Sequence, residues 1–543
     1  MDGAVVILVA AAVLLIAFHT YGNYVACRLG VDPLHPTPAH TRRDGADYVP
    51  TPSLVLAGHH FASIAGAAPI VGPIAAAAFG WLPALLWVVL GSIFAGAVHD
   101  FASLVASVRH DGKSIGEVIG ENLGPAGRPL FLAFAWLALV LLIAAFANVV
   151  AGTLAAMPQA ATAVALFPPL AAAFGAVARR APLGIGPYLL LGAALLASLV
   201  GVGHLFPLAQ TAHFWEAALL LYVLLASQAP VWLLLQPRDF LNSILLHCAL
   251  GAALLGIIVA NPRFELPAFT ALDIPQAGYL FPMLFVTVAC GAISGFHSLV
   301  ASGTTSKLLK SEGHAKRIGY GAMLVESLLA VTAIVTVAAL SPARYQEVLA
   351  AEGPLAVYGR GIAGFIAHLG LPVAVGQTLF GFGVSALALT LLDTAARLGR
   401  YTLQELSACP GFARLPGMGN RYFASTFTLA IAGVLLYSEH FALLWPIFGA
   451  ANQLLASLAL LAVAVWLARQ RRGNRFLLYP LAFMLAVTLT ALASLFFDRL
   501  LVGSWRLALL CALLFALALI LVGMAHQALA QADAKDRERA PES

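Results

Sequence analysis

Apolar runs of about twenty residues follow one another along nearly the whole of this chain, and that recurrence fixes the solvent in which it folds. A bilayer core roughly 30 Å thick is crossed by about 20 helical residues rising ~1.5 Å each. On that ruler the sequence predicts an all-α polytopic membrane protein with about fifteen transmembrane helices. They fall near 4–26, 53–79, 81–108, 130–157, 161–178, 184–203, 213–234, 241–260, 279–304, 319–341, 361–395, 422–438, 441–468, 477–498 and 503–526. Composition agrees: 61% of residues are hydrophobic and 10% charged, more hydrocarbon than a wetted surface can enclose. A soluble enzyme, a nucleic-acid-binding protein and a disordered scaffold are thereby excluded.

The net charge of +5 is a matter of orientation. With the N-terminus outside and the spans alternating, nearly all of the 29 lysines and arginines fall on the inner side. Only Arg263, Arg344, Arg360 and Arg499 fall outside, and Arg506 lies within a span. The first apolar run lacks a basic leader and is expected to stay as a helix. The longest loops, 27–52 and 396–421, are too short for a second domain. Residues 1–526 are thus expected to form one transmembrane domain, with a polar, disordered cytoplasmic tail over 527–543. Cys27, Cys248, Cys290, Cys409 and Cys511 show no paired spacing and read as small hydrophobes.

Two spans are interrupted. The stretch Gly58–Pro73 holds Gly58, Gly66 and Gly72, Pro69 and Pro73, the pair His59-His60, and Ser63. Proline removes a backbone donor and glycine lowers the cost of leaving the helix. Backbone groups freed in this way persist at membrane depth only against protein or a wet cavity. The stretch Ala289–Lys307 is similarly rich in small and hydroxyl residues: Ser294, Gly295, Ser298, Ser302 and Thr304. Its His297 lies ten residues, about 15 Å, from Lys307. The two stretches are expected to run in opposite directions, the pattern of inverted repeats around a midplane substrate site. The halves would span about 53–240 and 279–468, followed by extra helices over 477–526.

Ionisable groups within spans each call for an account, because charge in hydrocarbon is costly. His99, Asp100, Asp393 and Glu326 lie towards the inner half. Asp100 reads as part of a proton or cation relay with His59, His60 and His99. Asp393 reads either so or as a partner of Arg397 or Arg400, and Glu326 either so or as a structural carboxylate. Histidine titrates near neutrality, which suits proton exchange. The alternative use of His59, His60 and His297 is as ligands in an intramembrane metal or haem protein, although no i,i+4 His pair supports a cage. Asn452 and Gln453 must find partners within their span, either neighbouring helices or substrate.

These segments carry a resemblance. Gly58–Pro73, Gly96–Phe101, Gly112–Glu117, Cys290–Lys307, Leu392–Arg397 and Trp445–Leu455 resemble the carbon starvation protein A (CstA) family. The resemblance implies a proton-coupled secondary transporter of the bacterial inner membrane, taking up pyruvate or peptides during carbon starvation. It also implies an inverted-repeat core of the amino acid/polyamine/organocation (APC, LeuT-like) type with two discontinuous helices. The expected substrate site is Gly58, Ser63, Gly66, Ser294, Gly295, His297, Ser298, Ser302, Thr304, Asn452 and Gln453. The expected coupling groups are His59, His60, His99, Asp100 and Asp393, with H⁺ as coupling ion. No cofactor, ATP or nucleic acid is expected, and the surrounding partner is lipid. A continuous polar stripe, as a channel requires, is missing, and so is any phosphate-binding loop.

Overall fold

A backbone that cannot bond to water bonds to itself, and the computed structural model of this chain is accordingly helical apart from one two-stranded hairpin, Asp273–Ile274 with Gly278–Tyr279. It describes residues 1–44, 47–180, 185–230, 234–275, 277–410, 417–438 and 441–538. Arg414 and Arg539 of the inner-side cations lie outside the described residues. So do the opening residue of 184–203, residues 231–233 of 213–234, and tail residues 539–543.

Eleven helices among the described residues are long and apolar enough to cross a bilayer. The number becomes twelve if the bent pair Ser53–Ile64 and Ala68–Phe79, inclined by 49°, counts as one span. Of the fifteen expected spans, 53–79, 213–234, 279–304 and 422–438 are not among the eleven: the first is the bent pair, the third is interrupted, and the second and fourth are the short helices Ala212–Gln228 and Arg421–Ser438. Two other segments differ from expectation without changing the count. The run 361–395 conceals a reversal: Pro354–Ala367 ends, Gly370 takes φ +89°, and a new helix Val373–Ser407 begins after Pro372. Leu369 and Leu371 keep that turn apolar, so hydropathy alone passes over it. The 161–178 segment, by contrast, is a full helix, Pro158–Arg180, which accommodates Pro168 and Pro169. At the C-terminus, helix Trp505–Glu538 continues into the segment expected as a disordered tail.

Among the membrane-length helices Leu443–Arg469 is the most enclosed, its apolar window wholly buried inside the protein, and Glu312–Ala338 and Val373–Ser407 follow it. Against them lie the two interrupted segments, which run in opposite directions because their ends meet crosswise. The N–H of Thr51, before the first segment, donates to Leu308 O at 3.0 Å, after the second. The N–H of Thr270, before the second, donates to Phe79 O at 3.0 Å, at the end of the first. Midway they touch. A Cβ on Gly72 would stand 2.6 Å from Thr287 O, so only glycine permits that approach. At the basic end, Arg109 donates from Nε and Nη2 to the buried Glu312 carboxylate and from Nη2 to Gly30 O, tying three segments together.

Candidate functional site

Both expected interruptions are present. Helix Ser53–Ile64 stops at Ala65, which leaves helical dihedrals at φ −75°, ψ 72°. Helix Ala68–Ala76 then restarts with Pro69 in its first turn, where a missing N–H costs nothing. The second segment is helical over Leu280–Thr287 and again over Phe296–Val300, with residues 288–295 between. The backbone freed there is met by the helix Phe441–Arg469. Gly295 N donates to Asn452 O at 2.9 Å, and Phe296 N donates to Asn452 Oδ1 at 3.0 Å. Asn452 Nδ2 donates to Ser294 Oγ at 3.0 Å, and Gln453 Nε2 donates to Phe285 O at 2.7 Å. Interhelical bonding, one of the two uses open to these amides, is present, while Gln453 Oε1 has no hydrogen-bond partner among the described residues. Asn452→Ala is therefore expected to cost about 1–3 kcal/mol, the scale of orphaning buried polar groups, and to lower the apparent melting temperature in detergent.

Immediately after the break stands a closed chain of ionisable groups. Asp100 Oδ1 accepts from His99 Nδ1 at 2.8 Å, and Asp100 Oδ2 accepts from His297 Nδ1 at 2.8 Å. On its far side His297 Nε2 lies 3.5 Å from Glu326 Oε2, within ion-pair reach but outside hydrogen-bond geometry. All four residues are 0% exposed. Both Glu326 oxygens and the Nε2 atoms of His99 and His297 have no hydrogen-bond partner among the described residues. Three separate elements thus contribute: Ala97–Arg109, Phe296–Val300 and Gly321–Ala338. Each adjoins a stretch wound more widely, with i→i+5 bonding, at Trp87–Gly96, Ala301–Thr305 and Lys316–Tyr320. Such turns recur where helices serve function. The sequence hint was the density of glycine and hydroxyl residues there; the winding itself was not foreseen.

The remaining expected residues are distributed differently. His60 is buried and its Nδ1 bonds Thr305 Oγ1 at 2.8 Å, whereas His59, its neighbour, lies 3.5 Å from Asp239. With His297 engaged by Asp100 and Glu326, the three histidines do not converge as ligands. No group of three or more His, Cys, Asp or Glu among the described residues is placed to hold a metal. The expected hydroxyl lining turns back on its own backbone: Ser63 to His59 O, Ser298 to Gly295 O, Ser302 to Ser298 O and Thr304 to Val300 O, all at 2.7–2.9 Å. Short hydroxyls in a helix reach the preceding turn more readily than a neighbour. Gly58 packs on Ser243 and Gly66 on Leu391.

Asp393 belongs to another group. It pairs neither with Arg397 nor with Arg400 but with Arg238, from helix Leu235–Ala260, and it accepts from Tyr222 OH at 2.7 Å. Arg397 instead donates to Ala226 O and Ala229 O. Arg238, Asp239 and Tyr222 went unnoticed as site residues, because an arginine following Pro237 at the head of an apolar run looks like a loop cation. The structure buries it completely.

Comparison with known proteins accords with this architecture. Residues 2–377 and 346–491 match the family described as carbon starvation protein CstA. The peptide transporter CstA of Escherichia coli is 34% identical, with 90% of this chain and 80% of that protein covered; the Bacillus subtilis protein of the same name is also 34% identical, with 89% of each covered. The pyruvate/proton symporter BtsT of Escherichia coli is 32% identical over 86% of this chain and 78% of its own length. Among solved structures, two of the Eremococcus coleocola manganese transporter superpose with TM-scores of 0.53 and 0.52. One is a mutant and the other a complex with an aromatic bis-isothiourea substituted compound. Each is 14% identical and covered over 99% of its length, with 90% and 91% of this chain, which establishes likeness of fold alone. With its two interrupted segments, its buried His-Asp-His-Glu chain and matches along most of its length, this multi-pass membrane protein belongs to the carbon starvation protein CstA family.

Proposed function

We propose that this chain is a secondary transporter that couples proton entry to uptake of a small carboxylate-bearing nutrient, pyruvate or a short peptide, across the bacterial inner membrane. In this reading the N-terminus is outside and the C-terminus cytoplasmic. The observation that carries it is the buried chain His99–Asp100–His297–Glu326, which joins three helical elements just past the break at 288–295. Relatives named for peptide transport and for pyruvate/proton symport support the same class.

Its working would be alternating access. Residues 53–240 and 279–468 act as oppositely oriented repeats of an APC-type core, and the breaks at 65–67 and 288–295 serve as hinges. A proton arriving on the Asp100 chain discharges one carboxylate in a medium where unpaired charge is costly, and so shifts the balance between inward- and outward-facing packings. A proton moving along the chain would step between imidazole and carboxylate, over 2.8 Å from His99 to Asp100 and from Asp100 to His297, and over the longer 3.5 Å from His297 to Glu326.

Proteoliposomes given an inward proton gradient should take up labelled pyruvate or L-alanyl-L-alanine faster than vesicles without one, and a protonophore should remove the difference. Uptake of either probe that ignores the gradient would overturn proton coupling. Neither substrate entering under any condition would overturn the transport reading itself.

A further inference from the structure

We propose that Arg238 is the residue that grips the substrate carboxylate, and that Asp393 is its resident counter-ion, which the substrate displaces in exchange for a proton. The proposal deepens the transport reading above and rests on it.

The guanidinium of Arg238 has five N–H donors, and it is 0% exposed. Only Nη1 is used, towards Tyr222 OH at 2.9 Å and towards Asp393 Oδ2. Nε and Nη2 find no hydrogen-bond acceptor among the described residues; Asp239 Oδ1 stands 3.8 Å from Nη2, in ion-pair reach only. Nε and Nη2 form the side-on edge of the fork, the one that meets both oxygens of a carboxylate at once. Around it other buried atoms also stand unpartnered: Asp239 Oδ1, Asp393 Oδ1 and Asn242 Oδ1. Buried polar groups are ordinarily satisfied, so the unused Nε and Nη2 donors mark a place for an acceptor guest, and the unpartnered carboxylate oxygens one for a proton that comes with it. His59 borders the group and is 25% exposed, so the group is not sealed off from the protein's outside.

Charge accounting adds the coupling. Facing one another here are Arg238 and Asp239 from one helix, Asp393 and Arg397 from a second, Tyr222 from a third and His59 from a fourth. With His59 neutral, two arginines balance two aspartates. A substrate carboxylate on the free edge of Arg238 leaves one negative charge in excess at a buried site, where an isolated ion is strongly disfavoured. One proton, taken by the released Asp393 or by its neighbours, restores neutrality. One O–H bond is made on the carboxyl group as one is broken in the hydronium ion that supplies the proton, and no other bond changes. Substrate binding and proton uptake therefore become one event, without a wire between distant sites.

The bland account is a structural ion pair, and a set of variants separates the two. Binding of pyruvate and of L-alanyl-L-alanine is measured calorimetrically on the purified full chain, with proton uptake followed in weak buffer. Arg238→Gln should weaken binding of whichever probe the wild type takes by about 30-fold or more, the scale of a charge-assisted pair, and Arg238→Lys should not restore it because it lacks the fork. Asp393→Asn should bind at least as tightly as wild type but without proton uptake. The double variant Arg238→Gln/Asp393→Asn keeps the charge balance and so the fold, yet should still fail to bind. Wild-type uptake by the double variant, or an Asp393→Asn protein that still takes up a proton on binding, would overturn the proposal. If wild-type protein binds and transports neither probe, the transport reading falls and this one with it. Wild-type transport together with normal binding by Arg238→Gln rejects the role of Arg238 alone.

Discussion

Asp100→Asn should abolish accumulation of substrate against its gradient while leaving substrate-for-substrate exchange measurable. Asparagine matches aspartate in size, so the helix Ala97–Arg109 keeps its packing, and the amide can still bond one of the two imidazoles. What disappears is the charge that accepts from His99 and His297 together. A fixed neutral group holds the chain in one charge state whatever the pH on either side, so the proton gradient no longer biases the transporter. Losing two charge-assisted bonds sets the scale, a fall in gradient-driven initial rate of about 100-fold. Exchange tests the alternative that the variant is merely misfolded, since it needs the moving parts but no net proton. An Asp100→Asn protein that accumulates substrate as wild type does would remove Asp100 from the coupling.

How far the site was visible in the sequence depends on what each residue type demands. The breaks were legible because glycine and proline act through the local backbone: Pro69 and the Gly66 neighbourhood end one helix, and Ser294-Gly295 precede the restart of another. The grouping of Asp100 with His297 was legible in part, since both are costly in hydrocarbon and fall at similar depth. Glu326 was equally visible, yet nothing local says that it lies opposite His297, because that pairing is made by tertiary packing. The hydroxyls misled for the converse reason. Their nearest acceptors are carbonyls one turn back, and a substrate-lining role competes with a bond that is always available. Arg238 was invisible because its partners come from other helices, Tyr222 from the preceding one and Asp393 from one 155 residues on, and a single cation beside a proline has the signature of a loop. The reversal at 368–372 escaped on different grounds: His368, Gly370 and Pro372 mark a turn, but Leu369 and Leu371 and the apolar helices on either side keep the averaged hydropathy high.

The second large effect is expected from one methyl group. In Gly295→Ala the added carbon would stand 2.3 Å from Asn452 O, 2.5 Å from Ala456 N and 2.5 Å from Leu455 Cβ. Two of these are main-chain atoms in the buried part of helix Phe441–Arg469, which no side-chain rotation can move aside. Overpacking of that kind costs about 1–3 kcal/mol where neighbours yield, and here the break must back away from the helix instead. Doing so stretches the 2.9 Å bond from Gly295 N to Asn452 O and carries His297, two residues on, away from Asp100. The variant should melt several degrees below wild type and lose at least about 90% of proton-driven uptake, a larger loss than its stability alone predicts. Gly303→Ala is the matched control. It lies in the same segment, past His297, with its nearest neighbour, Leu398 Cδ2, at an ordinary 3.6 Å, and it should transport nearly as wild type does. Equal activity in the two variants would mean that the interrupted segment and helix Phe441–Arg469 do not hold each other rigidly, and that the hinge lies elsewhere.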